Sequence, residues 1–124
     1  KSPEPGAGRL ITSEGAMNKD AFGKRAAWCD YSGPVDGRIV GIAILDHPSN
    51  PRHPTWWFVR DYGLHAANPF GQNAFENLGN PKAGDLIVPA GKSITFRYRV
   101  YLHEGDELQA KVAERYAAFA REKK

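Results

Sequence analysis

The sequence has one cysteine, Cys29, so no internal disulfide can staple the fold. It lacks long apolar runs. The longest, Ile39 to Leu45, falls far short of the roughly 20 residues that span a bilayer, so no membrane span is expected. Net charge is small, +3 from 17 basic and 14 acidic residues. Arg121, Lys123 and Lys124 lie at the very end and read as a solvated tail, not as a phosphate-binding stripe. No nucleic-acid partner is expected. The sequence shows no internal repeat and no signal-peptide pattern. It opens on Lys1, which suggests a piece of a longer protein with further strands and any targeting segment upstream. The compartment stays open; a secreted or periplasmic full-length protein is compatible with so few cysteines.

What is present is ordinary globular composition, 41% hydrophobic and 25% charged, over the length of one domain. Residues 1–8, rich in Pro, Gly and Ala, read as an N-terminal loop. Residues 9–106 read as strand after strand. Short candidates are Arg9 to Ser13 and Lys24 to Tyr31, with a turn at Ser32 to Gly37. Arg38 to Asp46 is apolar on both faces and reads as a central strand. Thr55 to Arg60 and Leu64 to Ala67 follow, then a loop from Phe70 to Lys82 and a short strand at Asp85 to Val88. Lys92 to His103 alternates strictly. Ile94, Phe96, Tyr98, Val100 and Leu102 share one face. Thr95, Arg97, Arg99, Tyr101 and His103 share the other, read as solvent-facing or as lining a concave surface for an anionic or polyol ligand. Residues 107–124 read as a helix with a basic tail, apolar at Leu108, Val112, Tyr116 and Phe119 and capped by Asp106. The expected fold is mainly β: an antiparallel β-sandwich, part of a larger supersandwich-like fold, with one C-terminal α-helix.

The stretch from Asp46 to Gly71 holds the chemistry-bearing residues. Prolines 48, 51 and 54 recur at every third position and predict a stiff, polyproline-like arm between two strands. His47, His53 and His65 lie close in sequence. Imidazole can serve as acid, base or metal ligand near neutral pH, so these three are the candidate catalytic residues. With Asp46 or Asp61 they are also the candidate ligands of a divalent metal such as zinc, iron or copper. The bland reading is that they only hydrogen-bond their own loops. Trp56 and Trp57 fall on opposite faces of a strand, one as core and the other as a platform for a sugar ring, or both as core aromatics of a sandwich. Arg60, Asp61 and Asn68 are candidate ligand-binding residues through charge-assisted or amide hydrogen bonds, although Ala67 to Gly71 also reads as a plain turn. Cys29 reads as a small buried residue.

Several segments resemble the PmoA family, a bacterial family often labelled methane oxygenase. They are Trp28 to Gly33, Gly41 to Trp57, Arg60 to Gly63, Ala67 to Gly71 and Ala90 to Asp106. The resemblance covers about Trp28 to Asp106 and implies the C-terminal portion of a large β-sandwich protein. It implies no known catalytic residues. Literal methane oxidation by a membrane subunit is not expected, since that would need several transmembrane helices. Three function classes remain: an enzyme acting on a carbohydrate or related small polar molecule, a non-catalytic carbohydrate-binding module, and a structural or interaction domain. The oligomeric state is open.

Overall fold

The computed structural model describes residues 8–80 and 82–123. Most of the expected N-terminal loop therefore lies outside the described residues. The described chain is mainly β, antiparallel throughout, with one main helix near its C-terminal end. The strands are β1 (Arg9–Thr12), β2 (Trp28–Val35), β3 (Arg38–Asp46), β4 (Trp56–Arg60), β5 (Leu64–Asn68) and β6 (Tyr98–Glu104). The helices are a short α1 (Gln72–Glu76) and α2 (Val112–Ala120). One sheet has the order β1-β2-β3-β6; β4 and β5 form a second, two-stranded sheet.

Turn chemistry sets the register of the central hairpin. Asp36 and Gly37 both have positive φ, 51° and 80°, the pair of conformations that a two-residue hairpin turn needs. The turn is shorter than the sequence suggests. Gly33 and Pro34 remain in β2, and Pro34 sits opposite Ile39.

The four-stranded sheet has a different neighbour on each face. On one side β4 and β5 bring Trp57, Val59 and Ala67 against Leu10, Cys29 and Ile44. On the other side Val112 and Phe119 of α2 cover Trp28, Ala43 and Leu45. Burial of these side chains is the main stabilising term, about 1.5–3 kcal/mol for each large apolar group.

The sequence pattern of β6 is correct in period and reversed in side. The strand begins at Tyr98, not Lys92. Its apolar face is the open one, with Val100 59% and Leu102 70% exposed. The opposite face, bearing Tyr101 and His103, lies beneath α2 and the turn before it, so His103 does not line an open concave surface. The helix also starts later than expected. Asp106 Oδ1 accepts from the main-chain N–H of Leu108 and Gln109 at 3.0 and 2.8 Å, but this caps a turn, and Leu108 is 77% exposed. The expected strand at Asp85 to Val88 is not formed, and α1 occupies part of the expected 70–82 loop.

Candidate functional site

The chain between β3 and β4 is not an extended arm. It curls through consecutive turns, with Asn50 N donating to His47 O at 2.9 Å and His53 N donating to Asn50 O at 3.2 Å. Arg52 takes a positive φ of 66° and the His53–Pro54 peptide is cis. The cause of the curl is Asp46. Its buried carboxylate collects donors from the loop that follows it. Oδ1 accepts from Asn50 Nδ2 at 2.6 Å. Oδ2 accepts from Thr55 N at 3.0 Å and faces His53 Nδ1 at 2.7 Å. A buried carboxylate demands such partners, and this demand outweighs the extended preference of the prolines.

The geometry assigns the proton on His53. The Asp46 carboxylate only accepts, so Nδ1 carries hydrogen and donates to it. In the neutral ring the lone pair is then on Nε2. Tyr116 Oη, reaching down from α2, lies 3.4 Å from Nε2 and donates to the main-chain oxygen of Asp46 at 2.9 Å. The His53 side chain is 20% exposed. A partly exposed imidazole oriented through Nδ1 by a carboxylate is an arrangement in which Nε2 can act as a general base. Two phenols stand beside the carboxylate. Burial, reinforced by the negative charge of Asp46, pushes both Tyr98 and Tyr116 up to about 12, so each keeps its proton near neutrality.

The other two expected catalytic histidines go elsewhere. His47 is buried and sits edge-on to Phe119 of α2. Its Nδ1 accepts from Ser49 N at 3.0 Å and lies 2.7 Å from Ser49 Oγ. A main-chain N–H can only donate, so the hydrogen is on Nε2, which donates to Glu122 O at 2.7 Å. Both nitrogens are thus occupied by local structure. His65, on β5, donates from Nε2 to Cys29 O at 3.0 Å and packs by Tyr31 and Trp57, and burial pulls its pKa down. The three imidazoles do not converge. Among the described residues, no group of three or more His, Cys, Asp and Glu is placed to hold a metal ion.

Of the expected ligand-binding residues, both indoles, Arg60 and Asn68 make structural contacts, and Asp61 does so through its main chain. Trp57 is fully buried, its indole N–H donating to Ala26 O at 2.9 Å. Trp56 is 3% exposed, bonded to Glu76 at 2.8 Å and covered by the Arg25 guanidinium. Neither indole is a platform, because Trp57 faces the core and Arg25 and Glu76 cover Trp56. Arg60 stacks 3.6 Å over Phe22. The main-chain oxygen of Asp61 accepts from Tyr31 Oη at 2.6 Å. Asn68 Oδ1 accepts from Phe70 N at 3.0 Å, which makes Ala67 to Gly71 the plain turn. The Cys29 thiol is buried and its pKa is pushed well up by desolvation.

A family model matches residues 2–118; its family, DUF6807, is one of unknown function. The chain belongs to the DUF6807 family. No curated protein matches the chain, and no solved structure does.

Within this DUF6807 chain the sequence reading missed Asn50 and Tyr116, and it missed a second carboxylate–imidazole pair. His103 Nε2 lies 2.5 Å from Asp30 Oδ1, with both side chains buried between β2, β6 and the turn before α2. The ring lies so close over Gly41 that any Cβ there would strike it. One signal was available for Asp30. An acid inside the apolar run Trp28 to Tyr31 must find a partner if the strand is buried.

Proposed function

We propose that this chain is a PmoA-like β-sandwich protein that acts on a carbohydrate or related small polar ligand, with His53 as its general base. The single observation that supports this reading is the Asp46–His53 pair, on a ring that is 20% exposed and whose Nε2 lies 3.4 Å from the Tyr116 hydroxyl. In this role His53 Nε2 takes a proton from a substrate hydroxyl or from a water. Asp46 fixes the tautomer and stabilises the charge that develops on the ring. Tyr116, hydrogen-bonded to the main chain of Asp46, is a positioning residue that keeps α2 against the imidazole. His47 and His65 take no part in the chemistry. No metal is invoked, and literal methane oxidation is not proposed.

Substituting His53→Gln is the test. Turnover on the oligosaccharide panel named below should fall about 10²–10⁴-fold, the usual contribution of a general base, at a temperature where a thermal melt shows the variant folded. Turnover that is unchanged in His53→Gln would remove His53 from the mechanism. Binding that survives while no turnover is measurable in either protein would favour a non-catalytic carbohydrate-binding module, the second reading. Sealed His47 and His65 are compatible with that reading too.

A further inference from the structure

With both indoles buried, the exposed aromatic surface at the Asp46 end of the β3–β6 pair belongs to other residues. Three rings form it: Phe70, Phe96 and Tyr98. Phe70 is 53% and Tyr98 38% exposed, and Phe96 is half-buried. Phe96 and Tyr98 lie parallel, 9° between their planes with centroids 6.4 Å apart. Phe70 meets Phe96 edge-on at 6.1 Å.

The His53 loop itself holds these rings in place. Asn50 Nδ2 donates to Arg97 O at 2.7 Å, and Asn50 Oδ1 accepts from Arg97 N at 2.6 Å. His47 N adds a third bond to Arg97 O at 3.2 Å. This pins the main chain between Phe96 and Tyr98 to the loop. Arg52 does the same for Phe70, donating to Pro69 O at 3.1 Å and to the carbonyls of Gly84 and Asp85. Tyr98 stands directly opposite Asp46 in the β3–β6 ladder, so the ring row begins at the carboxylate that orients His53.

Charge narrows the ligand class. The Asp46 carboxylate has its hydrogen bonds from Asn50, His53 and Thr55, and the Arg52 guanidinium gives its own to three carbonyls, so each keeps its charge but is held in place. The guanidinium of Arg97 turns to the opposite side, toward Phe119 and Glu122. The rings thus lie between one fixed cation, Arg52, and one anion, Asp46, whose charges offset, with the Tyr98 hydroxyl as donor at their edge. A pyranose offers the matching surface, an apolar C–H face bordered by hydroxyls.

We propose that Tyr98, Phe96 and Phe70 form a stacking subsite for a neutral oligosaccharide, leading into His53. This rests on the carbohydrate reading above and names the surface that holds the sugar. The experiment uses the full chain against an array of neutral glucose, galactose, mannose and xylose oligomers, followed by titration with the oligomer bound most tightly. Tyr98→Ala and Phe96→Ala should each weaken binding about three- to tenfold, the usual worth of one aromatic contact. Val100→Ala and Leu102→Ala, exposed on the same strand face but farther along, should bind as the parent does. If a sugar binds and the ring variants bind it unchanged, the platform is wrong and the His53 reading survives. If the Val100 and Leu102 variants weaken binding as much as the ring variants, the platform is equally wrong. If the parent binds no oligomer, both readings fall.

Discussion

The molecule contains two aspartate–histidine pairs of nearly the same geometry and opposite character. In Asp46–His53 the carboxylate is saturated by loop donors, and the imidazole is 20% exposed. In Asp30–His103 the imidazole is enclosed, with Nδ1 facing Glu104 O at 3.3 Å, and it is the carboxylate that is left wanting. Asp30 Oδ2 has no hydrogen-bond partner among the described residues. The contrast teaches that a short carboxylate–imidazole contact is not in itself a site. What decides is where the unused lone pair lies. An open lone pair on a ring nitrogen can do acid–base work. An unused lone pair on a buried carboxylate only costs stability.

The largest expected effect breaks the first pair at its hub. Asp46→Ala removes the acceptor for three loop donors at once, and should lower unfolding stability by about 3–5 kcal/mol, as for other buried pairs that lose one partner. A denaturant melt reads this directly. A loss below about 1 kcal/mol would mean that the loop does not depend on the carboxylate.

A smaller effect sharpens the second pair. Burial pushes the Asp30 carboxyl above its ordinary 3.8, while His103 and, more weakly, Arg9 pull it back; Glu107 adds to the rise. The folded state thus holds this proton more tightly than the unfolded chain does. Asp30's contribution is fully present below 3.8 and is lost as pH rises through the raised value. The stability of the parent relative to Asp30→Asn should therefore decline as pH rises above 3.8. At neutral pH the asparagine, which keeps the shape and removes the buried charge, should cost within about 1 kcal/mol or stabilise. Thermal melts across acid and neutral pH check both points. A parent-minus-variant difference that rises with pH would contradict this account.

Much of the fold was legible in the sequence because it is local. Ile39 to Leu45, followed into Asp46 and preceded by Asp36–Gly37, marks β3 at the bounds observed. The alternation of Tyr98 to Leu102 marks β6. Alternation reports a period, however, and not which side is covered. The covering element, α2, decided that, and it chose the side bearing Tyr101 and His103. Likewise Trp56 and Trp57 had to point opposite ways, but only the arrival of Arg25 and Glu76 buried both. Asp46 and His53 are seven residues apart, so the pair lay within reach of the sequence. Asp30 and His103 are 73 residues apart, and Tyr116 is 63 from His53. Nothing in composition or spacing joins residues so distant; tertiary packing does.

The direct measurement for the central claim is histidine carbethoxylation followed by peptide mass spectrometry. The reagent needs an accessible, unprotonated ring nitrogen. The account predicts that His53 reacts at least about tenfold faster than His103, which must wait for local opening of the turn before α2. Equal rates, or His103 reacting first, would contradict it.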